Sequence, residues 1–252
     1  MLNSNSSNGS REWAPAETAV AILAGGLGTR LRSVVGQTPK VIAEVGGRPA
    51  LAWLFDQLDA HGFRHVVVCA GHRADAVTAR LGDQHGGLQL RYSIESEPLG
   101  TGGALRHAFL HFYSDPVLVL NGDSFCDVDL GQFLRVHQAR RAPASLVLAE
   151  VPDTRRFGRV SVRPDGRVEQ FLEKSDTAGP GWINAGIYLL SRHQIANIPT
   201  GRPVSLEREL LPQWLPHGLF GFPSHGRFLD IGTPESFAQA GDFFAERLAR
   251  AA

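Results

Sequence analysis

Ile22-Leu23-Ala24-Gly25-Gly26-Leu27-Gly28-Thr29-Arg30-Leu31, running on to Pro39-Lys40, takes an apolar strand into a glycine loop that carries two cations. That order suits a polyphosphate site. Glycine has no Cβ, so the backbone N–H groups of Gly25, Gly26 and Gly28 can approach phosphate oxygens, while Arg30 offers a planar fork of donors and Lys40 a compact point charge. The stretch is not a P-loop, which needs Gly-Lys-Ser/Thr at the helix start, and Leu31 stands where a dinucleotide fingerprint has its third glycine. A glycine loop alone does not decide for a nucleotide, so the remaining segments must carry the case.

Working outward, apolar runs at 19–24, 65–70, 88–94, 117–120 and 144–151 alternate with stretches at 49–61, 73–81, 102–112 and 130–141 that place apolar residues at helical spacing. This alternation predicts an α/β fold, a largely parallel sheet covered by helices. After residue 152 the rhythm changes. Residues 158–162, the turn Pro164-Asp165-Gly166 and residues 168–173 read as a hairpin, followed by a strand at 182–190, a helix near 205–214, strands at 218–222 and 227–231, and a helix at 234–249. No internal repeat and no linker is visible. We read one domain over 19–252, with a nucleotide half at 19–151 and an acceptor half at 152–252.

Composition limits the partners. The 252 residues are 43% hydrophobic, enough for a substantial core, and Lys plus Arg equals Asp plus Glu at 25 each. No global charge draws the chain to nucleic acid or an anionic membrane, so a phosphate site must be a local gathering of cations. Residues 1–18 are rich in Ser, Asn and Gly and read as a disordered leader, neither signal peptide nor anchor. No run approaches the roughly 18 apolar residues of a membrane span. Cys69 and Cys126 lie in or beside apolar runs with no metal spacing, as in a reduced, cytoplasmic protein. The ten histidines show no ligand spacing and are read as structural.

Ligands of open α/β sheets sit at the carboxyl ends of strands. Val117-Leu118-Val119-Leu120 ends in Asn121-Gly122-Asp123-Ser124, and Phe228-Leu229 ends in Asp230-Ile231-Gly232-Thr233-Pro234. Two strand-end aspartates suit one Mg²⁺, which takes hard oxygen ligands and often only one or two protein carboxylates. Taken singly, Asp123 could instead cap the helix near Asp129 or shape a turn. Thr233 is placed to cap the last helix, with Pro234 in its first turn. The second glycine loop, Glu95-Ser96-Glu97-Pro98-Leu99-Gly100-Thr101-Gly102-Gly103, opens a helix whose free amides suit an anion, or simply allows a tight turn. A carboxylate at Glu95 can accept from guanine N1–H and N2–H₂ but repels the O2 and O4 of uracil; the alternative is a solvated acidic loop. In the acceptor half, Glu173-Lys174 can meet a sugar hydroxyl pair and its phosphate, Phe157-Gly158 can offer a backbone edge, and Gly186 after Asn184 marks a close approach inside a strand.

Together these residues resemble the sugar-phosphate nucleotidylyltransferases over residues 19–245. The resemblance implies a Rossmann-like three-layer sandwich with a mostly parallel mixed sheet, the glycosyltransferase-A-like fold. It implies nucleotide contacts from Leu23, Ala24, Gly25, Gly26, Gly28, Thr29, Arg30, Lys40, Glu95, Gly100 and Thr101, with Mg²⁺ on Asp123 and Asp230. Gly122, Phe157, Gly158, Glu173, Lys174 and Asn184 would hold the sugar phosphate, and Arg30, Lys40, Asp123 and Lys174 would carry the chemistry. The words at 95–104, 121–130, 205–211 and 230–235 look most like the D-glycero-α-D-manno-heptose 1-phosphate guanylyltransferases, short enzymes without the C-terminal β-helix of typical mannose-1-phosphate enzymes. The implied substrates are GTP and heptose 1-phosphate, with GDP-heptose supplied to capsule, surface-layer or lipopolysaccharide glycans and a homo-oligomer left open. A mannose-1-phosphate, uridylyl or thymidylyl enzyme, a glycosyltransferase, or a non-catalytic nucleotide-sugar-binding regulator are the alternatives.

Overall fold

In the computed structural model, which describes residues 12–26, 28–172 and 179–251, the apolar runs form the strands they predict. The strands are β1 (Ala19–Leu23), β2 (Glu44–Val45), β3 (Arg48–Pro49), β4 (His65–Ala70), β5 (Gln84–His85), β6 (Leu88–Ile94) and β7 (Val117–Asn121), followed by β8 (Ser124–Cys126), β9 (Ala144–Val151), β10 (Arg159–Val162), β11 (Val168–Leu172), β12 (Gly181–Leu190), β13 (Leu219–Ser224) and β14 (Phe228–Asp230). The helices are α1 (Arg32–Val35), α2 (Ala50–Ala60), α3 (Ala74–Leu81), α4 (Gly100–His107), α5 (Leu130–Arg140), α6 (Arg192–Ala196), α7 (Leu211–Trp214) and α8 (Pro234–Ala251).

Eight strands join in the order β13-β9-β12-β7-β1-β4-β6-β5. The sheet is mixed. β1 runs parallel to β4 and β7, and β4 to β6, whereas β12 is antiparallel to both β7 and β9. Alternate residues of β1 point to opposite faces, and both faces are covered, which is why the strand reads as an unbroken apolar run. Val20 and Ile22 pack with Leu51, Phe55 and Leu58 of α2, Phe133 of α5 and Phe244 of α8. Ala19 and Ala21 pack on the other face with Leu105 of α4 and Ile195 of α6. The result is the three-layer arrangement expected.

From β1 the chain winds through β4 to β6 on one side, then returns to place β7 on the other side of β1. The order therefore reverses between β1 and β7. At such a switch point the loops leaving two neighbouring strands diverge and open a crevice at their carboxyl ends. Here that crevice lies between Leu23-Ala24-Gly25 and Asn121-Gly122-Asp123, the stretches singled out from sequence.

Two expectations need revision. Residues 12–18, assigned to a disordered leader, belong to the fold: Trp13 N–H donates to Gln138 Oε1 at 2.6 Å, Gln138 Nε2 donates back to Trp13 O at 3.0 Å, and Thr18 is buried. Residues 1–11 lie outside the described residues. The helix expected near 205–214 is split into a π turn, Leu206–Leu210, and the short α7, with Ser205 capping the turn and Pro212 in the first turn of α7.

Candidate active site

The glycine loop lies over the side chain of Lys40. A Cβ built on Gly26 or Gly28 would come within 3.8 and 3.7 Å of the lysine stem, and Gly28 holds φ +58°, a left-handed conformation that favours glycine. The ammonium reaches Asp123 and makes an ion pair with its Oδ2. Asp123 is not a helix cap; that part falls to Asp129, whose Oδ1 accepts from Gln132 N–H at 2.8 Å.

Asp230 arrives beside Asp123 through a short ladder. β14 pairs antiparallel with β8, setting Asp230 against Ser124, and Ile231 N–H donates to Asp123 O at 2.9 Å. Burial, and then the charge of Asp123, hold the Asp230 carboxyl above the usual range. Lys40 and Arg156 oppose that rise, with Arg156 Nη2 at 3.6 Å from Asp230 Oδ1. Two neighbouring carboxylates are a fitting pair of hard-oxygen donors for a divalent cation. Among the described residues no group of three His, Cys, Asp or Glu could hold a metal, so further ligands would come from substrate and water. Arg30, exposed on the turn Thr29–Leu31, lies against Gly232, next to Asp230.

A cavity of about 340 Å³ opens at this point, lined by Lys40 and Asp123 together with Glu95, Pro98, Gly100 and Thr101. Leu23, Ala24, Gly25 and Gly26 also line it. Glu95 leaves β6 with its Oε2 accepting from Leu99 N–H at 3.2 Å, and its carboxylate is packed against Gly25 and Gly71. Desolvation raises its pKa. Two amides of the second glycine loop are already engaged: Gly102 and Gly103 N–H both donate to Val204 O, at 2.9 and 3.3 Å.

A second cavity of about 280 Å³ adjoins the first and is lined by Phe157, Gly158 and Asn184 among others. It meets the first at Asn121 and Glu207, which line both. Gly122, expected at the sugar phosphate, also serves packing. Its N–H donates to Leu23 O at 2.9 Å, and a Cβ would stand 2.9 Å from that oxygen, so glycine lets β7 end closely against β1. Gly186, at φ +75°, sits in a register shift of β12 and makes room for Ser124 and Asn121 rather than for a ligand. Glu173 and Lys174 lie outside the described residues. Glu207 and Arg156 escaped the sequence reading. Glu207 was one acid in a segment read as an ordinary helix, and no local signal marks Arg156.

The nucleotidyl transferase family profile matches residues 19–247, and the chain belongs to that family. The mannose-1-phosphate guanylyltransferase of Mycobacterium tuberculosis is 38% identical over 222 residues, covering 86% of this chain and 62% of that protein. The D-glycero-alpha-D-manno-heptose 1-phosphate guanylyltransferase of Aneurinibacillus thermoaerophilus is 35% identical over 220 residues, covering 87% of this chain and 95% of that protein. Among solved structures, HddC from Yersinia pseudotuberculosis complexed with GMP-PN superposes with a TM-score of 0.81 at 33% identity, covering 90% of this chain and 99% of that one.

Proposed function

We propose that this nucleotidyl transferase moves GMP from GTP to a sugar 1-phosphate, D-glycero-α-D-manno-heptose 1-phosphate first among them, releasing pyrophosphate. The observation that carries the reading is the pair of adjoining cavities: Lys40, Asp123 and Glu95 line the first, the two meet at Asn121 and Glu207, and the β14–β8 ladder brings Asp230 beside Asp123. The relatives named for mannose 1-phosphate and for manno-heptose 1-phosphate support a manno-configured acceptor.

In this mechanism a phosphate oxygen of the sugar 1-phosphate attacks the α-phosphorus of GTP. The bond from that phosphorus to the bridging oxygen breaks, and pyrophosphate leaves with the electron pair. Both reactants are anions, so the residues act chiefly by positioning and charge neutralisation. Lys40 turns from Asp123 to the α-phosphate, Arg30 faces the leaving pyrophosphate, and Lys174 orients the nucleophile. A Mg²⁺ held by Asp123 and Asp230 would supply further charge neutralisation at the phosphate oxygens. No general base is required, because the attacking phosphate monoester is largely dianionic at neutral pH.

Pyrophosphate release, measured over a matrix of GTP, ATP, UTP and dTTP against heptose, mannose and glucose 1-phosphates, tests the reading. The fastest turnover is expected with GTP and a manno-configured acceptor. Faster release from UTP or dTTP, or none from GTP with any acceptor, would sink it.

A further inference from the structure

Glu207 stands in the wall shared by the two cavities, and no step described so far uses it. Its Oε2 is fixed from the nucleotide side, accepting from Thr101 Oγ1 at 2.7 Å and from Ser205 Oγ at 3.4 Å. Thr101 Oγ1 in turn accepts from Leu206 N–H at 2.8 Å, which ties the π turn to α4. Oε1 is held more loosely. Asn121 Nδ2 donates to it at 3.3 Å and Tyr188 OH at 3.5 Å. An ionised carboxylate offers about four lone-pair sites, so Oε1 keeps acceptor capacity toward the open space.

The surroundings favour the acceptor side. Among the described residues that line the second cavity, Glu207 is the sole carboxylate and Arg159 the sole cation, the others being neutral or apolar. Fully buried Tyr188 has its phenol pushed well up by burial and then by the Glu207 charge, so its hydroxyl remains a donor, and Asn184 Nδ2 donates to that hydroxyl at 2.9 Å. A fixed charged acceptor reads a hydroxyl well, because a substrate lacking that hydroxyl leaves the carboxylate unpaired.

Resting on the guanylyltransferase reading above, we propose that Glu207 sets sugar specificity, with its Oε1 accepting a hydrogen bond from one ring hydroxyl of the incoming sugar 1-phosphate. A hydrogen bond to a charged group corresponds to a discrimination of about 10- to 150-fold.

The test compares kcat/KM for mannose 1-phosphate and its monodeoxy analogues in the wild type and in Glu207→Gln, at saturating GTP. In the wild type one deoxy position should be disfavoured by that factor. In the variant the parent should fall to the level of that analogue, while other positions keep their penalties and KM for GTP stays within about threefold. Asn121→Ala, which removes the donor that orients Oε1, should weaken discrimination at the same position and serves if the first variant does not fold. An equal loss on every sugar would overturn the proposal, as would unchanged sugar discrimination with GTP brought down to the level of 2′- or 3′-deoxy-GTP, which would mean that Glu207 reads the ribose. If the wild type releases no pyrophosphate from GTP, the reaction itself is refuted. Calorimetric binding of the same sugar phosphates to wild type and variant then still decides the part played by Glu207.

Discussion

Gly25→Ala is expected to remove base choice while leaving the fold in place. A Cβ at this position would lie 2.5 Å from Glu95 Oε1 and 3.5 Å from Gly71 N. The first distance is not tolerable, so the carboxylate must move. Because it is the far end of a flexible side chain, the cost to the fold is modest, chiefly the bond from Leu99 N–H to the carboxylate, worth about 1.5 kcal/mol at its 3.2 Å length. For a chain of this size that is a fall in Tm of roughly 3–6 °C. The cost to recognition is larger. Each charge-assisted hydrogen bond from guanine to Glu95 is worth about 1.5–3 kcal/mol, so the GTP-to-UTP ratio of kcat/KM should fall by about 10- to 150-fold per bond lost. Pyrophosphate release with the two nucleotides at a fixed sugar phosphate, beside a thermal melt, measures both effects, and the ratio cancels any general hindrance from the new methyl group. Glu95→Gln should reduce the ratio as well. Desolvation raises the Glu95 pKa, so GTP preference should fade on acidification at a higher pH than for a solvent-exposed glutamate, as the acceptor becomes protonated. A Gly25→Ala enzyme that turns over slowly but keeps its full GTP preference would show that Gly25 serves phosphate approach alone and that Glu95 does not read the base.

Lys40→Ala should lower kcat far more than it raises KM for GTP, because the ammonium acts on charge that develops at the α-phosphate; steady-state kinetics with unchanged turnover would remove Lys40 from the chemistry. His137 is buried against Ser145 Oγ at 2.9 Å, and desolvation pushes its pKa down to about 4. The unfolded state takes up the proton near pH 6.5, so this stability is present above that pH and is lost as pH falls toward 4, by about 2 kcal/mol at pH 5 and about 3 kcal/mol in full. Urea unfolding at pH 7.5 and 5 should show that slope in the wild type and lack it in His137→Gln; parallel behaviour would refute the assignment. Asp230, whose pKa is raised, works in the opposite direction and cancels in the comparison. Gly226→Ala should prevent folding or destabilise severely, since its Cβ would fall 1.6 Å from the Asp127 backbone oxygen, and a soluble variant with the wild-type melting temperature would count against this packing.

How far the sequence carries can be argued from the two aspartates. Each was legible as the polar end of an apolar run, Asp123 most clearly, because β7 is buried on both faces and is written as a continuous hydrophobic stretch whose exit stands out. Their nearness to each other was not legible. It depends on the ladder of β14 with β8, three residues long, which leaves no periodic trace in either segment. Similarly, the glycines at 102 and 103 were readable as a strand-to-helix turn, but their amides are taken by Val204 O from a distant loop, and nothing local announces an acceptor that arrives through tertiary packing. Glu207 is the clearest case. In an α-helix it would be one surface acid among several, whereas the π turn and the Thr101 hydroxyl direct it into the wall between two cavities. π turns recur at functional sites. The chemistry of phosphate neutralisation was therefore visible in residue types and strand ends, while the discrimination between substrates rests on contacts made only when the chain is folded.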